Sequence, residues 1–325
     1  MIAMTWRQHR IQLLVAALIL AGLVSYLLIG AWQHASYARQ IGLTSCLATA
    51  PHPGCGLLAG AWFHQFGGMP SAFTLLAVLP LLAGMFLGAP LIARESESGT
   101  LQLAWTQSVS RQRWLAVKLG SLLAVIVLAA AVVSVSFSAW LSFYDRLSAA
   151  GYTDVNRLEP PAFDLTGVAP LGTMLFAFAA GTLAGVLVRR TVPAIAVSVA
   201  GYFGVVLPLD SARYTAYLSP HTVSGSYAST SPFQPGGYTL ATSYANAAGH
   251  PVSFTALYQA CARPIGNGAS GITVSCLAQK GFHLTQTFQP AVRYWPLQAA
   301  YAGTLAATAA ILLTFAVWWA VRRPG

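Results

Sequence analysis

The sequence predicts an all-α polytopic membrane protein with six transmembrane helices and a large outer loop between the fifth and the sixth. Three observations predict it. Of 325 residues, 56% are hydrophobic and 7% charged, with mean hydropathy +0.62, whereas a soluble domain carries about 25% charged residues. Six apolar runs, 11–32, 73–92, 115–141, 170–188, 192–209 and 297–321, approach the roughly 20 residues that cross about 30 Å of hydrocarbon. The basic residues are also distributed unevenly. Arg7, Arg10, Arg94, Arg111, Arg113, Lys118, Arg189, Arg190, Arg322 and Arg323 fall on one side of a six-span arrangement. Arg39, Arg146, Arg157, Arg213, Arg263, Lys280 and Arg293 are spread over longer loops on the other. Lys and Arg beside short connections resist translocation, so both termini are expected in the cytoplasm and the chain in the plasma membrane. The net charge of +10 then reads as a set of topology anchors, and no nucleic-acid partner is expected.

Residues 1–10 are short and amphipathic, with Ile2 and Trp6 four apart, which suits the inner interface or a frayed terminus. The first run is longer than the 7–15 residues of a signal-peptide core and lacks a small-residue cleavage site, so it reads as a retained span. The outer loop 33–70 holds His34, His52 and His64, none at the i, i+4 spacing of a helical zinc motif, and they are expected to be solvated. Cys46 and Cys55 lie in this loop, and Cys261 and Cys276 in the third outer loop. Disulfides persist in oxidising compartments, so two bridges are expected, most simply Cys46–Cys55 and Cys261–Cys276. Four cysteines allow three pairings, and a bridge between the loops stays open. No pair has the C-x₂₋₄-C spacing of a zinc site.

The second run contains Pro80, Pro90 and Gly84-x-x-x-Gly88, and the fourth contains Gly181-x-x-x-Gly185. Small residues four apart let helix backbones approach closely in lipid. Packing is the expected role, with kinks that open during function as the alternative. Arg189-Arg190-Thr191-Val192-Pro193 makes a tight inner turn. Residues 210–296, dense in Ser, Thr, Gly, Pro and Tyr, are expected to fold as a small outer cap within a single transmembrane domain.

Several chemistries lack their residues. There is no G-x-x-x-x-G-K-[ST] phosphate loop, no H-E-x-x-H and no G-x-S-x-G, so ATP binding by a phosphate loop and the corresponding hydrolases are not expected. Gly268-Ala269-Ser270-Gly271 matches the serine motif of rhomboid-type proteases, but it lies in a polar loop and no run holds a His to act as base. The runs carry almost no ionisable groups; Lys118 sits near an inner end, where it can snorkel to the headgroups. Ion-coupled transport needs charges at membrane depth. Energy for uphill transport would have to come from outside the chain.

The one dense cluster of charge between long runs is Ala93-Arg94-Glu95-Ser96-Glu97-Ser98-Gly99-Thr100-Leu101, continuing through Trp105-Thr106-Gln107-Ser108-Val109-Ser110-Arg111 to Lys118. This stretch resembles ABC-2 type permeases, particularly a group common in actinobacteria. The paired cysteines of the first loop and Arg293-Tyr294-Trp295-Pro296-Leu297-Gln298 before the last run are similar too. The resemblance implies a cytoplasmic coupling helix between spans two and three that docks on a separate ABC ATPase subunit. It implies that Glu95, Glu97 and Leu101 belong to that docking surface, that Gly99 and Thr100 shape its turn, and that Arg111 and Lys118 anchor the re-entry. Ser108 stands where many relatives have Pro. The implied assembly pairs this chain with a second permease copy or a sister chain. ATP and Mg would reside in the partner ATPase, and this chain would hold no cofactor and catalyse nothing. An uncharged lining suits a lipophilic or amphiphilic substrate, and the family mostly exports. A membrane sensor or scaffold, relaying binding at the cap without transport, is the alternative of another class.

Overall fold

In lipid, a backbone with no water to bond must satisfy its own N–H and C=O groups, and long apolar runs therefore become helices. The computed structural model describes residues 2–48, 53–67, 73–76, 78–97, 111–153, 155–226, 237–266, 269–272 and 274–322. In chain order the first half comprises α1 (Ile2–Gln40), α2 (Leu43–Ala48), α3 (Pro53–Phe66), α4 (Phe73–Leu76), α5 (Leu79–Leu82), a π-helical segment (Ala83–Gly88), α6 (Pro90–Glu97) and α7 (Arg111–Ala149). The second half comprises α8 (Ala162–Leu165), α9 (Ala169–Val188), α10 (Thr191–Ala216), β1 (His221–Ser226), β2 (Tyr238–Ala245), β3 (Pro251–Val252), α11 (Phe254–Cys261), β4 (Ala262–Gly266), β5 (Ala269–Ile272), α12 (Val274–Gln279), β6 (His283–Gln289) and α13 (Tyr294–Arg322).

Among the described residues, five stretches are long and apolar enough to cross a membrane: Leu14–Gln40, Gln112–Ala149, Ala169–Val188, Thr191–Ala216 and Ala291–Arg322. Large apolar side chains stand exposed on them, including Leu18 (73%), Leu128 (66%) and Val192 (76%). Such surface is tolerated where hydrocarbon replaces water. The chain is a polytopic membrane protein.

The second apolar run differs from the single helix expected at 73–92. It is a succession of α4, α5, the π-helical segment and α6. Pro80 and Pro90 have no N–H to donate, and their rings crowd the preceding turn; each sits within the first two residues of a new helix. Between them, Ala89 N donates to Gly84 O at 2.8 Å, five residues back. α9 packs along this broken segment and along α13.

The segment between α10 and α13 corrects the expectation of an all-α chain. β1, β6, β2 and β3 form a four-stranded antiparallel sheet in the order β1-β6-β2-β3, and β4 pairs with β5. β6 (His-Leu-Thr-Gln-Thr-Phe-Gln) buries Leu284, Gln286 and Phe288 on one face. Its Thr and Phe residues, like the Tyr and Thr of β2, suit a pleated half-buried surface. α10 also continues to Ala216, about two turns beyond the expected end at 209.

The segment that follows the first apolar run is helical as well. α1 runs on to Gln40 and α3 folds back beside it. Contrary to the expectation for a solvated loop residue, His34 is 4% exposed. Its ring lies 4.7–5.4 Å from those of Phe66, Trp140, Trp62 and Tyr144. His64 is exposed, and His52 lies outside the described residues. Cys46 of α2 is bonded to Cys55 of α3, and Cys261 of α11 to Cys276 of α12, with Cα atoms 5.7 Å apart in each pair.

Candidate functional site

The charged segment leaves the bundle through α6, whose first residues Pro90, Leu91, Ile92 and Ala93 are buried. Burial of that turn fixes where the carboxylates emerge. Glu95 Oε1 meets Lys118 Nζ of α7 at 2.6 Å, and the same amine donates to Leu91 O at 3.0 Å. Lys118 is 4% exposed and lies over the Trp114 ring. It therefore does not reach for the headgroups as its position near a helix end suggested: the carboxylate, a carbonyl and an aromatic face supply what water would have given. Glu97 reaches the start of α10, accepting from Thr191 Oγ1 at 2.6 Å and Thr191 N at 3.2 Å. The Thr191 hydroxyl holds the Glu97 carboxyl below the usual carboxylate range, with the Thr191 amide adding to the effect. An anion at a helix N-terminus is favoured by the exposed N–H groups there. Arg111 is the first residue of α7. Gly99, Thr100 and Leu101 lie outside the described residues, as does the side chain of Arg111.

Beside the charged segment, the two glycine pairs face one another. A Cβ built on Gly84 would lie 2.5 Å from Ala177 O, and one on Gly88 would lie 2.6 Å from Phe178 O. From the other helix, a Cβ on Gly181 would strike Gly84 O and one on Gly185 would strike Ala89 O. The broken segment and α9 thus touch backbone to backbone, which a side chain at any of the four positions would prevent. Ala89, Ala93, Ala184 and Ala194 extend the contact toward Glu97 and Thr191.

At the opposite end, the first residues of the last span fasten the entry to α9. Gln298, fully buried, accepts from Val168 N at 3.0 Å and Ala169 N at 2.7 Å and donates to Phe163 O at 2.7 Å. It serves as a cap for a helix about 130 residues away in sequence. Tyr294 donates to Thr166 Oγ1 at 2.8 Å, and Arg293 donates to Gln289 Oε1 at 3.1 Å.

Beside this clamp is a charged network that sequence reasoning missed. Arg213 of α10, 3% exposed, donates from both terminal nitrogens to the two Asp164 oxygens and from Nη1 to Asp210 Oδ1 at 3.3 Å. Tyr301 of α13 donates to the same Asp210 oxygen at 2.6 Å. A buried guanidinium held bidentately by one carboxylate is a rigid arrangement. On the sequence Arg213 looked like one more outer-side anchor. Only its separation of three from Asp210 hinted at a pair, and Asp164 lies 49 residues away. Among the described residues, no group of three His, Cys, Asp or Glu is placed to hold a metal ion.

A family model described as "ABC-2 membrane transporter related" matches residues 17–213 of the chain. No curated protein and no solved structure matches it.

Proposed function

Because the chain belongs to the ABC-2 membrane transporter related family, we propose that it is the permease subunit of an ABC exporter, driven by ATP that a separate nucleotide-binding subunit hydrolyses with Mg²⁺. The observation that carries this reading is the family match itself, which takes in five apolar runs and the charged segment between the second and the third. The broken segment from α4 to α6 serves as a sixth crossing. Its irregular backbone lies against α9, the setting in which such backbone is tolerated at membrane depth. Both termini and residues 94–118 then face the cytoplasm of a cell membrane, and the sheet faces outward.

Two copies, or this chain and a sister permease, enclose the path for a lipophilic or amphiphilic substrate. The ATPase bears on residues 94–111, including Glu95, Glu97, Gly99, Thr100, Leu101 and Arg111. A partner shifts a conformational equilibrium only through its different affinity for the two states, so the contact must be connected to the helices that move. Glu95 connects it to α7 through Lys118, and Glu97 connects it to α10 through Thr191. The chain itself needs no cofactor for this and catalyses nothing.

The test is purification of the tagged chain from its host in mild detergent, with mass spectrometry of what accompanies it. A stoichiometric ATPase bearing a phosphate loop, lost when residues 98–104 are replaced by a Gly/Ser stretch, is the expected outcome. A preparation free of any ATPase, even after cross-linking, would move the reading to a sensor or scaffold.

A further inference from the structure

A cavity opens between α5, α9, α10 and α13, beside the Asp164–Arg213–Asp210 network. Its walls are mostly apolar, with Leu79, Met174, Phe203 and Val206 among them, and its polar side is formed by Asp164, Asp210, Tyr202, Thr173 and Tyr301. Most of those polar atoms are occupied. Asp164 gives both oxygens to Arg213, Thr173 donates to main-chain oxygens, and Tyr301 donates to Asp210 Oδ1. Two groups are left over. Asp210 Oδ2 accepts no hydrogen bond among the described residues, and the hydroxyl of Tyr202, a residue only 3% exposed, makes none either. Two carboxylates face one guanidinium, and the Asp210 side chain is 31% exposed; with both carboxyls ionised the network carries one net negative charge beside an apolar chamber. A carboxylate at the edge of an apolar chamber is only partly solvated, and a cation of the right shape offsets its charge.

We propose that this cavity receives the cationic head of an amphiphilic molecule, a substituted ammonium on an apolar body, with Asp210 Oδ2 as counter-ion and the Tyr202 hydroxyl as its polar neighbour. The space, about 110 Å³, compares with about 10–15 Å³ for one water, which is room for a head group and the start of a chain. The rings of Tyr202, Phe203 and Tyr301 line it and offer π faces, which attract cations and repel anions. A neutral ligand would leave the net charge unmatched. The inference names the substrate class for the permease reading and rests on that reading only for the claim that the occupant is cargo.

The test uses the full-length chain in lipid nanodiscs, with empty nanodiscs subtracted, and three probes of equal chain length: octyltrimethylammonium, 1-octanol and octyl sulfate. Titration calorimetry should find the ammonium bound at least about tenfold more tightly than the other two. Asp210→Asn should weaken the ammonium about tenfold or more and leave octanol unchanged. Tyr202→Phe, which removes an oxygen with no hydrogen-bond partner among the described residues, should weaken it about threefold. Equal binding of the three probes, or ammonium affinity unchanged in both variants, would overturn the proposal. The assay needs no ATPase, so the two readings fail separately. ATP-driven export with no cation preference sinks the site and spares the permease, whereas tight, Asp210-dependent binding in a chain that recruits no ATPase does the reverse.

Discussion

Alanine at Gly88 probes the backbone contact between the broken segment and α9. The new Cβ would lie 2.6 Å from Phe178 O and 3.0 Å from Thr182 N. A comfortable carbon–oxygen contact is about 3.3–3.6 Å, so the two backbones must part by about 0.7–1 Å. Forcing extra volume into a packed contact costs about 1–3 kcal/mol, while replacing a helical glycine returns about 1 kcal/mol. The net expectation is a loss of about 1 kcal/mol. Gly201 supplies the control, because a Cβ there meets nothing within 4 Å; Gly201→Ala should therefore stabilise by about 1 kcal/mol. The two variants differ in sign and by about 2 kcal/mol. Unfolding in mixed micelles of rising SDS fraction, followed by tryptophan fluorescence, measures both against the parent. If Gly88→Ala unfolds no earlier than the parent, the close-approach argument is wrong. Unaltered stability with altered export would assign the glycines to gating.

Three further substitutions test other contacts. Gln298→Leu strands two N–H donors at the start of α9 and the Phe163 carbonyl of α8, for a loss of about 3 kcal/mol or more; a thermal midpoint equal to the parent's would show that the clamp carries no weight. Glu95→Ala leaves the Lys118 ammonium buried without its carboxylate, for a loss of about 3–5 kcal/mol, and adding Lys118→Met should recover most of it. A double variant as unstable as the sum of the two singles would deny that the residues act as a pair. Glu97 tests a pH dependence. Its carboxyl is held low by Thr191, so the fastening to α10 is complete above the ordinary carboxylate range near about 4.3 and is lost as pH falls through the lowered value. Thr191→Val should raise the Glu97 titration toward that ordinary range in a ¹³C-carboxyl NMR experiment, and an unmoved titration would refute the assignment.

Length and hydropathy alone marked the five long helices, because crossing hydrocarbon leaves a backbone so few alternatives. The broken segment carried its own signal: two prolines ten residues apart in one apolar run, either of which interrupts the N–H ladder. The sheet was less legible. In β2 the exposure pattern does not alternate cleanly, and the run of Ser, Thr and Tyr around it reads equally well as loop. Burial of His34 could not be read at all, since its partners Trp62 and Trp140 lie 28 and 106 residues on and meet it only once α3 has folded back. The charged network was hidden for the same reason. Asp164, Asp210 and Arg213 each look like the polar border of a span until α8 and α10 bring them to one point.

α7 has 39 residues, about 58 Å at 1.5 Å per residue, almost twice the hydrocarbon thickness of about 30 Å. Lys118 ties it to Glu95 near one end, and Trp140 and Tyr144 press on His34 near the other. Such a rod is a long lever: a tilt of about 10° about its centre would swing each tip by about 5 Å, in opposite directions. A push beside Glu95 would then arrive at the disulfide-linked α2–α3 hairpin at full amplitude and reversed.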